Sequence, residues 1–347
     1  MSKNKAIQGL RGILIIMVFL THCPLNKYKY VGALGGWAVE VFFVLSGFLS
    51  FLSKKSEFHK LDLKNSIGYA IDRIKDVYLL YIIMSTFAIP LIIGKYFILH
   101  EGGTIITILF RIVSNFLLIN TIIPTYIPAL IGTGWFVSTI FFLYIACPFL
   151  KKIFTNSKNL VHNVIYIIIL VCLRLFVMAL ITYVLGNSSS IYIYESPIIR
   201  IFDFAIGMVV ANMCTNCGRL KEFGYYINAL TGISVCLIFL LMDLVDGYVM
   251  CILIIVNSIC IIISSFINNV LISNILSSIK GLVFLGDRSK YIFLIHIVII
   301  EYIVGLEMIC GQFNIYFVIT LEIVLTLICV EMWILLENKI LHRKSVF

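Results

Sequence analysis

The sequence predicts an all-α polytopic integral membrane protein, with about ten transmembrane helices plus one re-entrant or interfacial segment. Three observations carry that reading. Hydrophobic residues make up 61% of the chain and charged residues 12%, more oil than a soluble core needs. Apolar runs recur from end to end, each near the roughly 20 residues that cross a hydrocarbon core of about 30 Å. Lys and Arg gather in short stretches between those runs, the signature of cytoplasmic loops. The net charge of +9 therefore points to anionic lipid or a phosphorylated ligand, not to nucleic acid.

In chain order, the spans fall at 7–25, 33–53, 77–98, 134–150, 160–186, 198–214, 226–242, 248–267, 291–310 and 314–336. The first has no small-residue cleavage site, so it reads as an anchor and not as a secretory signal. A single domain over 1–347, with no soluble domain, is expected. Lys3 and Lys5 place the N-terminus in the cytoplasm, and Lys54, Lys55, Lys60, Lys64, Arg73 and Lys75 place the 54–76 loop there too.

The apolar segment 104–123 decides the rest. If it does not cross, Lys151/Lys152/Lys158, Arg219/Lys221, Lys280/Arg288/Lys290 and the tail Lys339/Arg343/Lys344 all face inward, and the acidic Asp243/Asp246 faces outward. If it crosses, all of these invert. The segment is therefore expected to be re-entrant or to lie along the outer face. Arg111 within it, and Pro124, Pro128, Gly132 and Gly134 after it, suit a broken helix. Both termini are then cytoplasmic and the protein sits in the plasma membrane. The ten cysteines read as small core residues; Cys214-x-x-Cys217 has no second pair, and no metal site is expected.

The first span keeps Arg11 and His22 in an otherwise oily run. Eleven positions apart, they lie about 20° off the same helix face and roughly 17 Å apart along the axis. Arg11 is a snorkelling anchor or a cationic inner mouth; His22 is an interfacial imidazole bonded to a carbonyl or a titratable catalyst. Glu40, in "GGWAVEVFFVLSGF", lies at a similar depth. It either orients His22 as a carboxylate orients a catalytic imidazole or pairs with another buried cation. Arg174 is mid-span and requires a partner, with Asp203, Glu322 and Glu331 as candidates. Arg200 and Asp203 are spaced to pair with each other. His296 lies near the inner third of its span and shares a helix face with Glu307 eleven residues on; His296 either lines the site or makes a structural hydrogen bond. Ser46-Gly47 suits close helix packing.

Six segments together resemble a known family. "QGLRGILIIMVFLTHC", then "GGWAVEVFFVLSGFL", then a basic loop into "DRIKDVYLLY" are similar to the opening of the membrane acyltransferase 3 family. "WFVSTIFFLYIACPFL" resembles its Trp…Tyr…Pro helix at Trp135, Tyr144 and Pro148, and "PIIRIFDFAIGMVVA" its Phe-x-x-Gly helix at Phe204 and Gly207. "LGDRSKYIFLIHIVI" resembles its Leu-Gly…Ser…His segment at Gly286, Ser289 and His296. The resemblance implies transfer of an acyl group, often acetyl, from cytoplasmic acyl-coenzyme A to a hydroxyl or amine of a carbohydrate. Such an acceptor is commonly a surface glycan, with glycan-assembly proteins as potential partners.

The resemblance further implies that His22 is essential, that Arg11 matters, and that an Arg-x-x-Arg before the third span holds the donor. Here that motif reads Arg73-Ile74-Lys75-Asp76, so Lys75 is expected to substitute as a point charge. Ile140 stands where many relatives carry a Glu. The expected site is therefore His22 and Glu40 for catalysis, Arg11, Arg73 and Lys75 for the donor's phosphates, and Trp135, Tyr144 and His296 for substrate. In this reading the pantetheine arm threads between the first two helices, and His22 acts as general base or carries the acyl group itself. The alternative is a transporter or flippase using the buried His, Glu and Arg residues as its path; the lack of an internal repeat weighs against it.

Overall fold

The structure is a computed structural model and describes residues 4–56, 61–99, 104–123, 128–157, 159–186, 189–216 and 222–344. Lys3, Lys60, Pro124, Lys158, Cys217, Arg219 and Lys221 lie outside the described residues. The chain is all-helical, and among the described residues ten helices are long and apolar enough to cross a membrane. They are α1 (Lys5–His22), α2 (Lys29–Leu52), α3 (Leu63–Leu99), α5 (Trp135–Thr155), α6 (Leu160–Leu185), α8 (Pro197–Asn216), α9 (Gly224–Leu241), α10 (Gly247–Phe266), α12 (Lys280–Cys310) and α13 (Ile315–Lys344). Short helices α4 (Ile105–Phe116), α7 (Ser189–Glu195) and α11 (Leu271–Ser278) connect them.

The predicted spans fall within these helices or end close to their bounds, with two large differences. Helix α3 begins at Leu63 and α12 at Lys280, well before the apolar windows 77–98 and 291–310 open. Both add amphipathic turns that carry Lys64, Arg73 and Lys75, or Arg288 and Lys290; a hydropathy window passes over such turns because their mean is low.

Segment 104–123 does not span. Helix α4 has 12 residues, about 18 Å of rise, too short for a hydrocarbon core. Thr104 caps it in a capping box with Thr107. Ile105, Ile106, Leu109, Phe110 and Val113 are exposed along one face while Ile108, Ser114 and Asn115 turn inward, the pattern of a helix lying in the interface plane. The returning chain is sewn to it: Arg111 Nε donates to Pro128 O at 3.1 Å, and Asn115 Nδ2 donates to the same oxygen at 3.1 Å. Asn115 Oδ1 accepts from Leu130 N at 3.1 Å and from Tyr81 Oη at 3.3 Å. Arg111 thus satisfies backbone carbonyls that lipid would leave bare.

Helix α6 is built inside out relative to a soluble helix. Its only buried side chains are Asn163 and Arg174. Asn163 Oδ1 accepts from Asn212 Nδ2 of α8 at 3.0 Å, and Arg174 reaches Asp203 of the same helix. Leu, Ile and Phe face outward, because lipid tails are as apolar as a core and confer no preference for burial. The same physics corrects the expectation for cysteine: Cys147 and Cys251 are buried, but Cys172, Cys236, Cys310 and Cys329 are exposed.

Glycines set the two tightest helix contacts. A Cβ on Gly12 of α1 would overlap the carbonyl oxygen of Leu282, and one on Gly286 of α12 would overlap that of Gln8. Gly47 of α2 and Gly207 of α8 face the carbonyls of Phe204 and Val44 in the same way. Ser46-Gly47 therefore sits at a close helix crossing. Replacing Gly207 or Gly286 by Ala is expected to cost about 2 kcal/mol or more through overpacking against rigid backbone. Gly232→Ala, which meets open space, is expected to be neutral or stabilising. Thermal unfolding of the detergent-solubilised variants checks this ordering.

Candidate functional site

The site lies where α1 meets α12. Helix α1 ends at His22 because Cys23 turns to extended backbone and Pro24 opens a short 3₁₀ turn. His22 Nδ1 lies 2.8 Å from Val18 O, one turn back. On α12, His296 Nδ1 lies 2.7 Å from Ile292 O. A carbonyl only accepts, so each Nδ1 carries its proton and each Nε2 is a lone pair in the neutral rings; this tautomer follows from the bonding network. His296 Nε2 faces His22 Nδ1 at 3.4 Å, with the ring centroids 5.2 Å apart and edge-on. The Nδ1–H of His22 thus has two acceptors, and its Nε2 has no protein partner among the described residues. The apolar window places His296 near the inner third of its span, away from this level. It meets His22 because α12 starts at Lys280, which puts His296 mid-helix.

Two cavities lie close by; His22 lines the second, and His296, expected to line the substrate site, lines neither. The first, about 290 Å³, is lined by Arg11, Arg73, Asp76, Tyr144, Ser289 and Lys290, with apolar walls from α2 and α5. The second, about 430 Å³, is lined by His22, Thr133, Trp135, Tyr194 and small residues of α2 such as Gly35 and Gly36. Arg11 and His22 therefore address different cavities along one helix, in keeping with their shared helix face.

Of the residues expected to hold the donor, Arg11 and Arg73 line the first cavity and Lys75 does not. Lys75 lies two positions, about 200°, round the helix from Arg73. It points outward, with its Nζ 2.9 Å from Asp72 Oδ1 and both side chains more than half exposed (60% and 68%). Lys290, from α12, lines the first cavity in its place. Sequence reasoning misses it as a site residue because it comes from a distant helix. Tyr144 belongs to this cavity also: the Arg73 guanidinium sits over its ring at 5.2 Å. Trp135, expected as an outer platform, lines the second cavity and stacks with Tyr194 at 4.9 Å. Tyr194 is not anticipated from the sequence; its signal there is weak, one of two tyrosines in the connection before α8.

Glu40 does not orient His22. Its Oε2 lies 3.2 Å from Arg174 Nη2 and 3.5 Å from Arg200 Nη1. Asp203 completes the cluster, with Oδ2 2.9 Å from Arg200 Nη1 and Oδ1 3.1 Å from Arg174 Nε. Two cations and two carboxylates balance in a region that is at most 8% exposed. Coulomb attraction to two guanidinium groups holds Glu40 on the α6–α8 side. The cluster still serves the site. Arg200 Nε donates to Tyr194 O at 2.8 Å and its guanidinium stacks on the Tyr194 ring at 5.0 Å, fixing a wall of the second cavity. Of the other anionic candidates for Arg174, Glu331 pairs with Arg288, and Glu322 is buried with neither oxygen bonded. Glu307 turns away from His296 to accept from Phe313 N at 3.2 Å. Among the described residues, no group of three His, Cys, Asp or Glu side chains is placed to hold a metal ion.

These features define a multi-pass helical membrane protein with a histidine pair, a cationic cavity and an aromatic cavity that His22 lines. Residues 4–334 match the acyltransferase domain family, and the chain belongs to it: it is a membrane acyltransferase. No curated protein and no solved structure matches the chain.

Breaking the charge cluster is expected to be costly. Arg174→Met leaves Glu40 and Asp203 under-compensated and should lower stability by about 3–5 kcal/mol. Adding Glu40→Gln to that variant removes one excess charge and should restore part of the loss. Unfolding of the single and double variants in detergent measures the coupling.

Proposed function

We propose that the protein transfers an acyl group, acetyl above all, from cytoplasmic acyl-coenzyme A to a hydroxyl of an extracytoplasmic carbohydrate such as capsule or exopolysaccharide. The observation that carries the reading is the placement of His22 Nε2. His22 lines the second cavity and its Nε2 is unbonded among the described residues, on the same helix as Arg11 at the first. The family supports the acyl chemistry, and favours an enzyme over a transporter.

The donor's phosphates sit at the first cavity with Arg11, Arg73 and Lys290, where charge-assisted bonds are strong. Carrying the whole anionic donor through lipid is prohibitive, but its slender uncharged arm is not. The arm covers the roughly 17 Å between the Arg11 and His22 levels. The acceptor enters the second cavity against Trp135 and Tyr194, an aromatic wall suited to a sugar face. His22 Nε2 takes the hydroxyl proton as the hydroxyl oxygen attacks the thioester carbon. The tetrahedral adduct collapses, the C–S bond breaks, and the imidazolium returns its proton to the departing thiolate. Throughout, Val18 O and His296 Nε2 accept from the Nδ1–H of His22, which fixes its tautomer and receives its positive charge. His296 is thus a positioning residue, and Glu40 acts through the walls of the cavity.

The basic residues favour the Arg11 end as the cytoplasmic one, with both termini there in a plasma-membrane protein. Lys29 pairs with Asp243 at the opposite end, near the acidic Asp246, which faces outward in this orientation.

Three outcomes are expected with purified protein, labelled acetyl-coenzyme A and polysaccharide fragments. His22→Ala abolishes transfer but still binds donor; unchanged transfer would discard the mechanism. His296→Ala lowers kcat by about 10²-fold with donor KM little changed and alters the pH–rate profile, which a purely structural residue would not do. Arg73→Gln and Lys290→Gln raise the donor KM, whereas Lys75→Gln does not.

A further inference from the structure

Among the described residues, the two cavities share a single lining residue, Phe293. Its ring is 8% exposed and sits three positions, nearly one turn, before His296, with the two ring centroids 6.5 Å apart. Aromatic rings from two other helices close in on it: Phe136 of α5 at 5.1 Å and Phe42 of α2 at 6.5 Å. Phe42 and Phe136 line only the first cavity. The backbone beneath the ring is pinned, since Thr133 Oγ1 donates to Phe293 O at 2.7 Å. A fixed backbone under a side chain with two rotatable bonds makes the ring the part that moves.

We propose that the Phe293 ring is the gate between the cavities and sets the largest acyl group that reaches His22. The inference rests on the proposed acyl transfer for its role, but the partition itself is a matter of geometry. A thioester entering past Arg11 and Arg73 meets this ring before it meets His22 Nε2. Swinging the ring aside, against its tilted and edge-on neighbours, admits a short acyl group. A longer one needs more room than rotation of one ring provides. The closed ring also keeps the water of the second cavity from the thioester until the arm has passed.

Two measurements test the gate, and the first does not depend on enzymatic activity. Ser46 lines the first cavity, so a cysteine there reports access to it. A slim, charged, membrane-impermeant methanethiosulfonate is added to either face of sealed vesicles in turn, and mass spectrometry locates the adduct at position 46. Ser46→Cys is expected to be labelled from at most one face, and Ser46→Cys with Phe293→Ala from both. Labelling of the parent from both faces, or of the double variant from at most one, overturns the gate and leaves the acyltransferase reading intact.

The second measurement is donor selectivity. Phe293→Ala should raise the ratio of hexanoyl to acetyl transfer, as kcat/KM, at least tenfold, and Phe293→Leu should shift it less in the same direction. Should Phe293→Ala fail to fold, Phe293→Leu carries both measurements. Phe293→Trp should lower acetyl transfer at least tenfold while donor binding persists. An unchanged ratio in the smaller variants overturns the selectivity role. Absence of transfer from any donor by the parent protein contradicts the acyltransfer reading instead, and labelling then still decides the partition.

Discussion

The close crossing of α1 and α12 holds the rest of the site in place. Gly12 and Gly286 let each helix press against a carbonyl of the other, an approach that any side chain would block. Lipid offers no hydrophobic drive to push helices together, so close backbone packing of this kind supplies much of the attraction. Further along the same crossing, the proximity becomes chemistry. His22 and His296 come within 3.4 Å, each ring already tied to its own helix by an Nδ1–H bond to the carbonyl one turn back. Those two bonds fix what every ring nitrogen does. Two donate to carbonyls, one accepts from the neighbouring ring, and one keeps its lone pair for the second cavity.

A second, separate device keeps the walls still. Glu40, Arg174, Arg200 and Asp203 bring α2, α6 and α8 to one buried, charge-balanced point. Isolated, any one of them would be expensive in lipid; together each cation sees two carboxylates. Arg200 then extends the order outward, through Tyr194 to Trp135. Glu40, which looks in sequence like a partner for His22, belongs to this scaffold. The imidazole of His296 lies beside His22 instead.

Much of this is legible in the sequence. Ten spans can be read from hydropathy because a transmembrane helix announces itself by length, and the stripe joining Arg11 to His22 follows from helical period alone. Charge asymmetry also decides segment 104–123, and its short, amphipathic α4 agrees. What stays hidden is relational. Helix α12 begins eleven residues before its apolar window, and that offset moves His296 from the wrong depth to the side of His22. Lys75 looks like the donor's second cation because it neighbours Arg73 in sequence, yet about 200° of helical turn sends it outward and Lys290 arrives from another helix. Glu40 and His22 share a depth but not a side of the bundle, and depth is all that a hydropathy profile records. Phe293 has no signal of its own in a chain with 26 phenylalanines; only the two cavities single it out.

The most direct measurement is a cryo-electron microscopy structure with a non-reactive thioether analogue of acetyl-coenzyme A bound. Expected are the phosphates among Arg11, Arg73 and Lys290, the arm passing a displaced Phe293 ring, and the acyl carbon poised about 3.5 Å from the site where a hydroxyl bonded to His22 Nε2 would sit. An analogue with its phosphates at the His22 end, or with its acyl group stopped in the first cavity beside an unmoved ring, would contradict the mechanism.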